Sequence, residues 1–472
     1  MKRSYEIDMC NGPLLGKILR FAIPLMLSGI LQLLFNAADI VVVGQFTGSD
    51  ALAAVGSTGA LNNLIVNMFL GLSIGSSVLA ARYYGAQDWR NLHDVVHTSM
   101  LVSAICGFLL IFVGISLARP LLELMGTPKN VLDQAVLYMR IIFAGMPAMM
   151  IYNFGAAILR AVGDTRRPLL FLFMAGVINV GLNLFFVIVC HMGVAGVALA
   201  TVLSQYISAV LVVLCLMRSV GPYKLYIQQL RIYKDKLLQI AQIGLPAGIQ
   251  GAVFSISNVL IQSSINSFGS IAMAGNTAAA NIEGFIFTAM NAFHQAALSF
   301  TSQNIGGRKI DRIVPILVRC LSCVMVVGVG LCSLVLLFGP QLVRIYSPDP
   351  EVISYGLNRL RVICSIYFLN GIMDVTCGAI RGMGYSVTPT IVSLTGVCGI
   401  RILWIYIIFP LDRTLFSLYL SYPVSWAIAF ISHLICFILF FRLWKKKQLA
   451  WDAAPQETPS PAATVPARES DC

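Results

Sequence analysis

Residues 21–46 read FAIPLMLSGILQLLFNAADIVVVGQF, a predominantly apolar run with Pro24 near its start, Asn36 in its second half and one full charge, Asp39. At roughly 1.5 Å of rise per residue, such a run crosses a hydrocarbon core of roughly 30 Å as a single helix. A carboxylate on a spanning helix is costly unless it faces a polar cavity or a partner, so Asp39 is the first candidate for function. Working outward, comparable runs lie near residues 52–80, 96–118, 134–158, 169–190, 194–217, 240–265, 271–301, 314–338, 352–378, 389–409 and 417–441. The pattern predicts an all-α integral membrane protein with twelve transmembrane helices. The run from 240 reads as the weakest by hydropathy, because it holds Gln242, Gln250, Ser255, Ser257, Asn258, Gln262 and Ser263. A helix this polar spans only if that face meets protein or water.

Composition agrees. Hydrophobic residues make up 58% of the chain and charged residues 11%, against roughly 25% charged in a soluble domain. The net charge of +12 sits in short segments between apolar runs, which points to membrane orientation rather than to a nucleic-acid partner. Of the 12 cysteines, Cys106, Cys190, Cys215, Cys320 and Cys323 lie in or beside apolar runs. They imply neither a disulfide framework nor a metal site.

Alternate loops carry the basic residues: Lys2, Arg3, Lys17 and Arg20, then Arg82 and Arg90, then Arg160, Arg166 and Arg167, then residues 218–236, then Arg308, Lys309 and Arg312, and last Arg442 with residues 445–447. By the positive-inside rule both termini are cytoplasmic in a multi-pass protein of a bacterial-type plasma (inner) membrane. No AxA-type processing site follows the first run, which reads as a retained helix. Residues 219–237 read as an amphipathic cytoplasmic connector with Tyr223, Tyr226 and Tyr233 at headgroup level. The expected divisions are 1–20, a cytoplasmic N-terminus; 21–218, an N-lobe; 219–237, the connector; 238–442, a C-lobe; and 443–472, a disordered cytoplasmic tail. The final Cys472 is not in a prenylation motif.

The two lobes are copies. Pro24 aligns with Pro246 at a shift of 222, and ILRAVGDTRRP at 158–168 aligns with AIRGMGYSVTP at 379–389 at a shift of 221. Arg160, Gly163 and Pro168 thus match Arg381, Gly384 and Pro389. An even number of spans per copy relates the two six-helix bundles by a pseudo-twofold axis along the membrane normal, with a cleft between them. Pro24, Arg160, Gly163, Pro246, Arg381 and Gly384 read as gating or structural joints, the two arginines bonding to the last carbonyls of their helices.

These features resemble the multidrug and toxic compound extrusion (MATE) transporters. The resemblance rests on PLMLS at 24–28 with Asp39 and Gly44, ALAAVG at 51–56, LRAVGDTRRP at 159–168, GVAGVALATVLSQ at 193–205 and IRGMG at 380–384, and it covers about residues 13–445. It implies an efflux antiporter for small amphipathic organic cations, driven by sodium ions or protons. In many members of that family the N-lobe cation site uses an Asp in the first helix, an Asn and an Asp in the fifth and a Thr in the sixth. The matching residues here are Asp39, Asn179, Asn183 and Thr201, so that Asn183 replaces the second carboxylate. The resemblance makes sodium possible at those four residues. In the C-lobe, Asp374 matches a tenth-helix Asp, Gln250 stands near a seventh-helix Glu, and Glu283 is a further intramembrane carboxylate. The expected coupling residues are therefore Asp39, Asp374 and Glu283 with the neutral ligands around Asp39.

Asn36, Phe35, Met68, Phe154, Gln250, Phe254, Asn258 and Phe287 are the substrate-cavity candidates, a mixed aromatic, adaptable and polar set. The other partners expected are membrane lipids; neither nucleic acid, an obligate protein partner nor a cofactor beyond the coupling ion is expected. No HExxH, GxSxG or GxxxxGK[ST] element points to an enzyme, and no catalytic residue is assigned. His93 and His97, near the end of the third run, read as a solvated helix end. Two alternatives remain: a flippase for lipid-linked precursors, which needs a cationic cavity, and a non-transporting membrane receptor. The embedded Arg140, Arg319, Arg361 and Arg401 bear on the first, several of them lying close enough to helix ends to snorkel.

Overall fold

Both copies open with two long helices joined at a glycine. In the N-terminal half these are α1 (Leu14–Phe46) and α2 (Ser49–Gly85), in the other half α8 (Lys234–Asn266) and α9 (Ser270–Gly306). Gly48 and Gly269 hold φ values of +96° and +97° at the joints, a region that side chains with a Cβ reach only with strain. The computed structural model describes residues 5–453; Lys2, Arg3 and residues 454–472 of the expected tail lie outside the described residues.

The copies continue in step. α3 (Trp89–Leu124) corresponds to α10 (Ile313–Leu337), which is followed by the short α11 (Gly339–Arg344). The bent pair α4 (Lys129–Ala144) and α5 (Met146–Ala161) corresponds to α12 (Pro350–Cys364) and α13 (Phe368–Gly382), with bends of 45° and 48°. Each lobe then has a helix interrupted by π-turns. In the N-lobe α6 (Arg166–Leu184) runs into a π-turn at Phe185–Val189; in the C-lobe α14 (Val387–Ser393) and α15 (Ile400–Leu403) alternate with π-turns at Leu394–Gly399 and Trp404–Ile408. α7 (Gly193–Arg218) and α16 (Leu415–Ala453) close the lobes.

Among the described residues nine helices are long and apolar enough to cross a membrane, or up to eleven when each bent pair counts as one span. The helix that fails the test is α9, not α8, whose mean hydropathy reaches 1.4. This corrects the ranking of the 240–265 run as the weakest. α9 lies between the lobes, and its polar end bonds to protein: Ser302 donates to the Val78 carbonyl at 2.5 Å, and Gln303 Nε2 to that of Ala161 at 2.6 Å. A helix whose polar groups are satisfied by neighbouring helices needs little hydropathy of its own.

The lobes meet at the basic end through glycines. A Cβ on Gly71 of α2 would lie 2.2 Å from the Gly248 nitrogen of α8, and one on Gly75 would lie 2.3 Å from the Ile240 carbonyl. The approach continues to Gly251 and Asn67, whereas a Cβ on Gly56 or Gly59, further from that end of α2, would meet nothing within 4 Å among the described residues. The lobes are therefore closed at one end and parted towards the other.

Residues 5–12 clasp the closed end from outside. Tyr84 and Tyr223 of the N-terminal half donate to the Glu6 carboxylate at 2.8 and 2.7 Å. In the other half Asn304 donates to the Met9 carbonyl at 3.0 Å and Arg312 to that of Gly12 at 2.9 Å.

This clasp overturns the expected place of Tyr223 at headgroup level. Tyr223 is buried, and burial together with its bond to Glu6 pushes its phenol up to about 12, so it remains a donor. The connector is irregular, with one 3-10 turn at Ile227–Gln229, and it covers the start of α3. His97 is consequently buried rather than solvated, accepting from the Tyr226 amide at 3.1 Å and stacking on His93. The tail also begins later than residue 443, because α16 continues to Ala453 through helix-forming Leu, Lys and Gln residues. On that extension Lys447 lies 4.9 Å above the Trp444 ring.

Candidate functional site

Asp39 stands on the half of α1 that belongs to the N-lobe, beside a cavity of about 380 Å3. Asn179 and Asn183 are one turn apart on α6 and so share a face. That face and Thr201 of α7 converge on the carboxylate. Asn183 Nδ2 donates in a short bond to Asp39 Oδ1, and Thr201 Oγ1 donates to Oδ2 at 3.3 Å. The ring closes through Asn183 Nδ2 to Asn179 Oδ1 at 3.3 Å and Asn179 Nδ2 to Thr201 Oγ1 at 3.5 Å. Thr201 can instead donate to the Val197 carbonyl at 3.0 Å. The Asn183 Oδ1 atom is buried with no donor among the described residues. Asp39 is the one charged group among the residues lining this cavity.

The structure thus brings together the four residues expected around Asp39. Phe35 and Asn36 line the same cavity, and Asn36 also lines a neighbouring cleft of about 490 Å3 between the lobes, which Arg160 of α5 and Asn291 of α9 share.

The C-lobe cavity, about 460 Å3, is lined by Phe254, Asn258 and Phe287 from the expected set, and by Asp374, Glu283, Arg359 and Arg401. Glu283 is not a lone carboxylate. Arg359 Nε meets Oε1 at 2.8 Å and Nη2 meets Oε2 at 2.6 Å, a two-pronged pair, while Arg359 Nη1 donates to Asn276 at 2.7 Å. The Asp374 carboxylate has no hydrogen bond or ion pair among the described residues; its backbone carbonyl takes the His294 ring at 2.7 Å.

Several candidates lie elsewhere. Phe154 is fully buried in the N-lobe core, and Met68 is half exposed outside these cavities. Gln250 is buried as the acceptor of Arg381 Nη2 at 2.7 Å. Arg381 therefore reaches across to α8 and not to its own helix carbonyls; Arg160 lines the central cleft, with an Nε lacking an acceptor among the described residues. Both arginines stand in the last turn of their helices, next to the final residue, but their side chains turn away from the helix ends, Arg381 towards α8 and Arg160 towards the central cleft. Gly163 and Gly384 hold φ of +93° and +96° and are packed against the Ile7 backbone and the Arg82 guanidinium. Pro24 lies inside α1 with Ser28 bonded to its carbonyl, and Pro246 inside α8.

Of the embedded arginines, Arg140, Arg319 and Arg361 are exposed on the outside of their helices, but Arg401 is buried. Sequence reading missed Arg359, Tyr422 and Trp426 as cavity residues. The signal available for Arg359 was Glu283 itself, since a carboxylate at that depth calls for a cation. No group of three or more His, Cys, Asp or Glu residues that could hold a metal occurs among the described residues.

Against known proteins, the MatE family model matches residues 24–185 and again 246–407, once per lobe. A probable multidrug resistance protein of Bacillus subtilis, YoeA, is 27% identical over 437 residues, covering 91% of this chain and 94% of that one. A second from the same organism, YpnP, is 26% identical over 82% of this chain and 86% of its own length. Among solved structures, the outward-facing conformation of a multidrug resistance MATE family transporter superposes with a TM-score of 0.87 at 22% identity, covering 94% of this chain and all of that one.

Proposed function

The chain belongs to the MatE family, and on that footing we propose that it is a secondary antiporter exporting amphipathic organic cations in exchange for sodium ions or protons, coupled at Asp39. Multidrug resistance proteins that it resembles along most of its length support the substrate class. The observation that carries the coupling site is the quartet around Asp39: one carboxylate held by Asn183 and Thr201, with Asn179 bonded to both, in a cavity whose lining has no other charge.

We count twelve spans, adding the protein-covered α9 to the nine apolar helices and two bent pairs, in lobes spanning 21–218 and 238–442. With the basic end in the cytoplasm, both termini are cytoplasmic and the glycine-sealed conformation is outward-open. The residue types around Asp39 suit a sodium ion: carboxylate, carboxamide and hydroxyl oxygens are hard ligands, and the Asn183 Oδ1 atom is left without a donor. A proton would instead reside on Asp39 itself. Either way, cation and substrate compete for one negative charge. Ionised Asp39 attracts the organic cation, and neutralisation weakens that attraction and favours release, with the two affinities linked reciprocally. Asp374 is the second coupling candidate. Glu283, already paired, serves the C-lobe architecture.

Reconstituted in liposomes, the protein is expected to move a fluorescent lipophilic cation under an imposed sodium or proton gradient. Asp39→Asn is expected to abolish that movement, because the substitution removes the one charge for which cation and substrate compete. Movement in the variant equal to wild type, at matched protein density, refutes Asp39 as the coupling residue. No movement under either gradient refutes cation antiport.

A further inference from the structure

The C-lobe cavity contains a guanidinium that forms no ion pair among the described residues. Arg401 is 6% exposed and lines the cavity. Its Nε donates to Ser425 at 3.1 Å, while Nη1 and Nη2 have no hydrogen-bond acceptor among the described residues. Glu283 is paired two-pronged with Arg359 and forms no bond to Arg401. Asp374 lines the same cavity without forming an ion pair to Arg401. Burial of a charge without a counter-charge is costly and unusual, and it marks a place where the counter-charge arrives with a ligand.

The surroundings fix the kind of ligand. The Arg401 guanidinium lies 4.2 Å over the Tyr422 ring and 5.8 Å from that of Trp426. Arg359 is on Tyr422 too, at 5.4 Å, and Tyr367 packs on Trp426 at 5.3 Å between centroids. The two rings hold the guanidinium carbon in place, and the bond to Ser425 anchors its Nε edge. The remaining Nη edge presents the geometry that a planar carboxylate accepts two-pronged. Phe254 and Phe287 supply apolar wall for an aromatic body.

We propose that Arg401 is a substrate-binding residue that recognises a carboxylate on an aromatic, amphoteric compound, with Asp374 available to the cationic group of the same molecule. This rests on the transporter reading and narrows its substrate class: compounds carrying both charges fit the C-lobe cavity better than simple cations do.

Rhodamine B and its ethyl ester share one cationic xanthene and differ in whether the carboxylate is free, which isolates the interaction. Binding of each dye to purified full-length protein in nanodiscs is followed by fluorescence anisotropy at neutral pH. Wild type is expected to hold the free acid at least about tenfold more tightly than the ester, as a buried charge-assisted pair requires. Arg401→Gln is expected to remove that preference while leaving ester affinity within about twofold, and Arg401→Lys, which keeps the charge but loses the fork, to fall between. Equal affinity of wild type for the two dyes overturns the proposal without any variant. Equal loss of both dyes in Arg401→Gln also overturns it, since Arg401 then only shapes the cavity. Discrimination in binding with no gradient-driven movement of either dye leaves the site standing and removes the transporter reading; movement of the ester without discrimination does the reverse.

Discussion

The two lobes share a backbone and divide over chemistry. Their joints repeat to within a few degrees, with φ of +96° and +97° at Gly48 and Gly269, +93° and +96° at Gly163 and Gly384, and bends of 45° and 48° in the paired helices. Their cavities do not repeat. The N-lobe holds a single carboxylate among neutral amides and a hydroxyl, whereas the C-lobe holds a carboxylate–guanidinium pair, a second carboxylate and a second guanidinium. Duplication has kept the devices that let helices bend, turn and approach closely, because only glycine or a break meets those backbone demands. The side chains facing the cavities were free to diverge. The charge lining the N-lobe cavity has no cationic partner among the described residues; in the C-lobe Glu283 and Arg359 already pair with each other.

The largest expected effect sets Glu283 against Asp39. Glu283→Gln leaves the buried Arg359 guanidinium without its counter-charge, a change expected to destabilise the folded protein by about 3–5 kcal/mol. Asp39→Asn removes a charge that has no cationic partner, so thermal unfolding in detergent is expected to stay near wild type while transport is lost. If the two variants unfold at the same temperature, the distinction between a structural and a functional carboxylate fails.

How much of this was legible in the sequence follows the same division. Asp39 stands out because it is the only charge in a long apolar run, and its partners lie at helical spacing or in a recognisable motif. The joints were legible because glycine and proline recur at a fixed offset. The Glu283–Arg359 pair was not, since its members are 76 residues apart and neither shows from its own helix which way it points. Phe154 and Gln250 were misplaced for the same rotational reason: helices without a sharp polar face do not reveal which side is inside. Tyr223 and His97 read as surface residues because local pattern cannot foresee that residues 5–12 and the connector fold over them.

A smaller effect sharpens the comparison by moving charge into the N-lobe. Asn183→Asp places a second carboxylate one hydrogen bond from Asp39. With more ligand charge, a sodium ion is expected to bind about tenfold more tightly at neutral pH, corresponding to about 1.4 kcal/mol. Calorimetric titration of sodium into the purified variant measures this directly. Unchanged sodium affinity would mean that the quartet does not hold the ion.

The smallest effect tests how the quartet handles arrival of that ion. Thr201 has one hydroxyl proton and two acceptors for it, the Asp39 Oδ2 atom at 3.3 Å and the Val197 carbonyl at 3.0 Å. Given to Asp39, the proton helps hold the ionised carboxylate. Turned to Val197, it leaves the hydroxyl lone pairs facing the carboxylate, where a sodium ion can take them. The switch costs little because an acceptor waits in either position. Thr201→Val keeps the shape and loses both options, so the apparent sodium affinity should fall by only a few-fold, equivalent to about 0.5–1.5 kcal/mol, while Thr201→Ser should remain close to wild type. Equal losses in the two variants would point to packing by the Thr201 methyl group instead, and the hydroxyl would then have no part in exchanging one cation for another.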